Sequence, residues 1–287
     1  MKQVSKYNIG GYILFGRDFD GKTKDEVVDD IHSYQNEADI PLLIGVDEEG
    51  GTVVRVSSNP NLRETPFLSP KDTYADGGWD AVKQDAEEKA DLLLSLGINV
   101  NLAPVCDMTS DEYGFMYDRS FSSDVDMENR YVRTVVETSK SKKLGTVLKH
   151  FPGYGNNSDT HTGIAYDDRD YSEFENTDFK PFHQGIESGA DCILVSHNIV
   201  NCMDSEYPAS LSQKVHDILR NEFKFDGVIM TDDLIMDAIT DFTGDEAAAV
   251  TAAKCGNDLL CCSSVDTQYP AVLEGCSKTV KISKSSG

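Results

Sequence analysis

The run Lys149-His150-Phe151-Pro152-Gly153-Tyr154-Gly155-Asn156-Asn157-Ser158-Asp159-Thr160-His161-Thr162-Gly163 gathers an amine, two imidazoles and a carboxylate into one short stretch. Asp159 and His161 stand two residues apart, close enough for the carboxylate to orient or charge the imidazole. Such a set suits acid–base chemistry on a polar ligand. The plainer alternative is a solvated loop with incidental charges. Against it, glycine-rich loops delivered by strand ends commonly carry function. The apolar residues 145–148 read as a short buried strand that presents Lys149 and His150, and Pro152 prevents the strand from continuing.

Apolar runs and amphipathic stretches alternate along the rest of the chain. Residues 9–16, 41–47, 99–107, 145–150, 192–198, 227–233 and 258–262 read as strands. Residues 23–38, 79–96, 127–142, 171–188, 211–223, 245–255 and 269–280 read as helices, with Ser212 as a possible cap. The segment from the Gly50-Gly51 loop to about residue 78 reads as irregular. Continuous apolar strands are what a parallel sheet buried on both faces requires. Asp47, Asp107, His150, His197 and Asp232 each fall at the C-terminal end of a different strand. In a (β/α)8 barrel those ends converge on one mouth. An open doubly wound sheet would carry a glycine fingerprint that Gly50-Gly51 and Gly153-Tyr154-Gly155 do not match. The expected fold is therefore α/β, a TIM-barrel-like single domain over residues 1–287. With seven strands counted, the first strand and helix are expected to be absent and both ends truncated. Residues 281–287 are expected to lack a closing amphipathic helix.

Hydrophobic residues make up 39% and charged residues 26% of 287, ordinary for a globular chain. A net charge of −24 disfavours nucleic acid and an anionic membrane surface as partners. No apolar run reaches the length of a membrane span. The seven cysteines lack metal-ligand spacing and read mainly as buried thiols. Residues 1–8 have no signal-peptide core, which places the chain as it stands in the cytoplasm, or outside the cell if a leader has been lost. A complete barrel implies a monomer, and an open sheet edge would permit self-association.

Four motifs in order resemble glycoside hydrolase family 3, in its single-barrel β-N-acetylglucosaminidase branch. These are Gly10-Gly11-Tyr12-Ile13-Leu14-Phe15 leading to Arg17; Asp47-Glu48-Glu49-Gly50-Gly51 with Arg55; the Lys149–His161 loop; and Thr231-Asp232-Asp233-Leu234-Ile235-Met236. The resemblance implies Asp232 as nucleophile and His161 as general acid/base, partnered by Asp159. It implies that Asp47, Arg55, Arg119, Lys149 and His150 hold a terminal N-acetylated sugar, with no cofactor or metal. Glu48 and Glu49 are expected to hold their loop. Tyr154 and Thr160 stand where the family commonly has His and Ser. His197 is left as a supporting or simple core residue, and His32, His183 and His216 as residues on solvated helix faces.

The implied activity is hydrolysis of terminal β-linked N-acetylglucosamine from small peptidoglycan- or chitin-derived sugars, with retention through a glycosyl-aspartate. An imidazole with an ordinary pKa near ~6.5 can replace the second carboxylic acid at neutral pH. Alternatives are a phosphorylase using the same groups, a metal-dependent hydrolase built on His150, His161, His197 and Asp232, and an inactive sugar-binding fragment.

Overall fold

A computed structural model describes residues 2–157, 160 and 163–284. Asp159 and His161 lie outside the described residues. The chain divides into two compact units, Met1–Lys149 with Lys180–Asp191, and His150–Phe179 with Cys192–Gly287.

The first unit opens with helix α1 (Lys2–Tyr7), strand β1 (Gly11–Leu14) and helix α2 (Lys24–Asn36). Thr23 caps α2, its backbone N–H donating in return to Glu26 Oε2 at 2.8 Å. Strand β2 (Leu43–Val46) pairs in parallel with β1, Leu14 opposite Val46. Helix α3 (Pro70–Leu96) then leads to β3 (Val100–Asn101), helix α4 (Val125–Lys142) and β4 (Gly145–Phe151). Strand β3 joins β2 on one side and β4 on the other, both in parallel.

Helix α3 begins well before the expected residue 79. Ser69 accepts the Asp72 N–H at 3.1 Å, and Pro70 occupies the first turn, where its missing N–H costs nothing. Gly77 and Gly78 leave helical geometry and kink the helix, so these glycines mark a bend inside it and not its start. The expected strand 99–107 is regular only at Val100–Asn101, and pairing resumes where Val105 meets Lys149. Val27 and Ile31 of α2 and Ala90, Leu93 and Leu96 of α3 are buried with Leu14, Ile44 and Val46 in the core of this unit.

The second unit takes over at the last residues of β4, where the Ser196 N–H donates to Phe151 O at 2.9 Å. Strand β5 (Tyr166–Asp167) is followed by helices α5 (Tyr171–Asn176) and α6 (Phe179–Glu187), most of α6 belonging to the first unit. The single helix expected over 171–188 is thus broken at Thr177 and Asp178. Strand β6 (Cys192–Val195) precedes β7 (Ile199–Val200), which pairs with β5 in a small ribbon the hydrophobic pattern did not reveal. Two-residue strands are too short to leave an alternation signal.

Ser212 caps helix α7 (Gln213–Asp217), accepting the Val215 N–H at 3.3 Å, and a π-helical turn at Ile218–Glu222 continues it. Strand β8 (Val228–Thr231) pairs with β6 in parallel and is followed by α8 (Asp237–Thr240), α9 (Asp245–Cys255) and α10 (Val265–Lys284). Residues 258–262 form no regular strand; Leu259 makes an isolated bridge to Met230. Helix α10 runs into the tail expected to be non-helical. His216 is buried, its Nδ1 2.7 Å from Ser212 O, and does not lie on a solvated face. Cys106, Cys192 and Cys255 are buried as expected, whereas Cys202 is exposed.

Gly185 tests this packing. It lies in α6, where alanine would ordinarily stabilise, but a Cβ there would come within 2.5 Å of Leu148 Cδ1 and 3.1 Å of Val132 Cγ1. Gly185→Ala should lower unfolding free energy by about 1–3 kcal/mol through overpacking. Urea denaturation measures it, and a neutral or stabilising result would contradict the packing.

Candidate active site

Strand β2 ends at Val46 and hands the chain to Asp47, Glu48 and Glu49. Asn101 of β3 secures this turn by accepting the Glu48 N–H at 3.0 Å and donating to Glu48 O at 3.1 Å. The Glu48 carboxylate accepts from the N–H groups of Arg55 at 2.9 Å, Val56 at 2.7 Å and Ser57 at 3.3 Å, and from the Ser57 hydroxyl. It holds the loop and is fully engaged in doing so. Gly50 has φ 104°, and a Cβ there would lie 2.1 Å from Leu68 O. Only glycine allows the backbone to pass so closely.

Glu49 turns inward. Its carboxylate receives Arg119 Nε at 2.9 Å and Arg119 Nη2 at 2.8 Å, and lies 2.6 Å from Lys149 Nζ. Lys149 Nζ also donates to Asp47 Oδ1 at 2.6 Å. Lys149 and Glu49 side chains are each only 2% exposed, and Asp47 17%. Beneath them, buried Lys89 donates to Glu49 O at 2.9 Å and pairs with Asp85. Three of the five expected sugar-holding residues, Asp47, Lys149 and Arg119, thus meet in one cluster. Glu49, expected only to hold the loop, is the carboxylate that joins them. Asp107 is fully buried.

Burial alone would raise the Glu49 carboxyl, but the Lys149 and Arg119 charges outweigh it and hold it well below the usual carboxylate range. Burial opposes the Lys149 ammonium, yet Asp47 and Glu49 raise it above the ordinary lysine value. Arg55 is half-buried, its N–H tied to Glu48, and its Nε is a buried donor with no partner among the described residues.

In the second unit His150 is buried, its ring edge-on to Tyr154 with centroids 5.3 Å apart. The loop that follows is braced by Arg169, which no motif in the sequence singles out. Arg169 pairs with Asp167 at 2.8 Å and Asp178 at 2.9 Å, and donates to Gly153 O at 3.2 Å. A Cβ on Gly155 would strike its guanidinium at 2.7 Å, which explains the glycine.

Asp232 follows β8 directly. It is half-buried, its N–H donates to Val195 O at 3.2 Å, and its Oδ1 accepts the Asp233 N–H at 2.8 Å. Asp233 is engaged elsewhere, accepting from Ser263 N at 3.1 Å and from the Ser263 hydroxyl. His197 is fully buried, with Nε2 3.0 Å from Asp233 O and Nδ1 2.7 Å from Ser210 Oγ. The carbonyl requires Nε2 to be the donor, so in the neutral imidazole Nδ1 accepts from Ser210. With both ring nitrogens engaged, His197 supports the turn after β8 and is a poor metal ligand.

Residues 1–286 match the model of the glycosyl hydrolase family 3 N-terminal domain. The chain belongs to glycosyl hydrolase family 3. A β-hexosaminidase of Nitrosomonas eutropha is 32% identical over 273 residues, 92% of this chain and 77% of that protein. The solved family 3 β-N-acetylglucosaminidase of a Paenibacillus species is 28% identical with a TM-score of 0.87, covering 96% of this chain and 52% of that one. A fungal multi-domain family 3 β-N-acetylglucosaminidase gives 27% identity and a TM-score of 0.89 over 99% of this chain, which spans 34% of its length. The fold is accordingly the TIM-barrel-like α/β fold of this glycoside hydrolase family. Among the described residues, no helix is long and apolar enough to cross a membrane.

The buried cluster makes a pH prediction for this family 3 chain. A carboxyl with a depressed folded pKa contributes stability in full above its ordinary value of 4.5, and loses it as pH falls further. Lys149→Met leaves Asp47 without the amine and Glu49 with Arg119 alone, and should cost about 3–5 kcal/mol at neutral pH. The decline of stability below pH 4.5 should also become shallower, because Glu49 is then less depressed. Denaturant titrations across pH check both; an unchanged acid limb would contradict the assignment.

Proposed function

We propose that this chain is a retaining exo-β-N-acetylglucosaminidase that removes terminal β-linked N-acetylglucosamine from peptidoglycan- or chitin-derived sugars. The observation that carries the reading is that the other carboxylates of the motifs at residues 47–51 and 231–236 have other work. Glu48 holds the loop after β2, Asp47 and Glu49 together balance Lys149 and Arg119, and Asp233 holds Ser263. Asp232, at a strand end where barrel enzymes place their chemistry, is the acid suited to attack. The relatives named β-hexosaminidase and β-N-acetylglucosaminidase support the sugar class.

In this reading Asp47, Lys149, Arg119, Arg55 and His150 bind the terminal sugar. A lysine amine held ionised by buried carboxylates offers a fixed donor to sugar hydroxyls, and the unpartnered Arg55 Nε offers another. The Asp232 carboxylate attacks the anomeric carbon while His161 gives its proton to the departing glycosidic oxygen. Asp159 stabilises the imidazolium. Neutral His161 then takes a proton from water as the water displaces Asp232, restoring both groups with net retention.

Release of a chromophore from an aryl β-N-acetylglucosaminide should exceed release from the matching β-glucoside, without added phosphate and in the presence of chelator. Asp232→Ala should lower turnover by roughly 10³-fold or more, and Asp233→Ala should leave a folded, partly active protein. A fluorinated sugar that traps the covalent intermediate should label Asp232; a label on Glu48, Glu49 or Asp233 would refute the mechanism. His161→Ala should slow substrates with poor leaving groups more than those with good ones.

A further inference from the structure

The proposed chemistry makes no use of His197, although it stands beside the turn that delivers Asp232. Val195 of β6 pairs with Thr231 of β8, so residues 196–197 and 232–233 leave the sheet next to one another. His197 and Ser210 are both fully buried. Ser210 Oγ lies 2.7 Å from Nδ1 of the ring, and Nε2 lies 3.0 Å from Asp233 O. Ser210 is held in turn, its N–H donating to Ser196 O at 2.9 Å and its O accepting from Asn257 Nδ2 at 2.8 Å. Core filling alone would not call for this chemistry. Leucine would occupy much of the space and bring no ring nitrogens that must be satisfied.

Three consecutive peptide groups carry the turn. The first, between Thr231 and Asp232, is fixed by the Asp232 N–H donating to Val195 O at 3.2 Å. The third, between Asp233 and Leu234, is held at both ends. Its N–H donates to Cys261 O at 3.1 Å, and its oxygen accepts from His197 Nε2. The middle group supplies the Asp233 N–H that donates to Asp232 Oδ1 at 2.8 Å. Each peptide group is planar and each residue has only two soft torsions, so fixing the outer groups sets the direction of the middle N–H. That N–H restrains the carboxylate of Asp232 through Oδ1.

We infer that His197 is a positioning residue for the nucleophile. With its tautomer set by Ser210, it pins Asp233 O and so aims the Asp233 N–H at the Asp232 carboxylate; this rests on the functional reading above. His197 acts through the backbone of residue 233. Its loss therefore slows the attack on the anomeric carbon whatever the leaving group, because a small misplacement of a reacting atom is costly.

The test compares His197→Leu, His197→Gln and Ser210→Ala with the wild type, each rate taken per folded molecule. It measures kcat/KM on aryl β-N-acetylglucosaminides with good and poor leaving groups, and the rate at which a fluorinated sugar labels Asp232. Amide exchange at residues 232–234 and the histidine ring nitrogen NMR signals complete it. His197→Leu should lower both kcat/KM values and the labelling rate by about 10- to 100-fold, to similar extents. Binding of N-acetylglucosamine itself should change less than about threefold. His197→Gln keeps a side-chain N–H donor and should recover most of the loss. Ser210→Ala frees the tautomer and should cost about 3- to 10-fold, with an Nδ1–H form of His197 appearing beside the wild-type Nε2–H form. Exchange at Asp233 should quicken in His197→Leu and not in His197→Gln. Where His197→Leu does not fold, Ser210→Ala and the wild-type tautomer decide. An unchanged labelling rate, a loss confined to poor leaving groups, no recovery in His197→Gln or an Nδ1–H tautomer in the wild type would each overturn the inference alone. A wild-type protein that is inactive on every glycoside and takes no label at Asp232 would overturn the functional reading, and this inference with it.

Discussion

An ammonium group that is nearly sealed from water dictates much of the first unit. Lys149, on β4, can remain charged only if carboxylates accompany it, because an unpaired buried charge costs several kcal/mol. Asp47 and Glu49 supply them, and Arg119 balances the second acid. That requirement explains the order of residues after β2. Asp47 reaches Lys149, Glu48 ties the loop forward, Glu49 points back inside, and Gly50 lets the chain turn beneath Leu68. Each residue answers a different constraint, although the four read in sequence as one motif.

In the second unit, too, buried and half-buried charges are tied to structural partners. Asp232 and Asp233 are adjacent carboxylates on one turn, yet Asp233 is fixed to Ser263 while its carbonyl meets His197. Arg169 plays the corresponding structural part for the glycine-rich loop, bound to Asp167 and Asp178 with its guanidinium against Gly155. A chain of net charge −24 has many acids, and their partners distinguish them better than their number does.

The α/β class, the parallel strands and the family were legible in the sequence for physical reasons. Buried parallel strands must be continuous and apolar, and a loop such as Asp47-Glu48-Glu49-Gly50-Gly51 admits few residue types at each step. Helix ends were partly legible too: the Thr23 and Ser212 caps lie where the pattern puts them, while Ser69-Pro70 was hidden by the Gly77-Gly78 kink. Regular pairing at residues 258–262 could not be read, since an apolar run is equally compatible with an isolated bridge.

Sequence by itself thus determined the kinds of groups available and their places along the chain. Its resemblance to the family could name Lys149, Asp47 and Arg119 as candidates. Only the tertiary structure decided that Glu49 joins them, that both nitrogens of His197 are taken, and that Arg169 holds Gly153 at the start of the loop beyond β4. Those outcomes depend on which partners the fold brings together, near or far along the chain, and on burial, which sets the cost of leaving a charge or hydroxyl unpaired. Neither separation in space nor exclusion of water is written in local spacing.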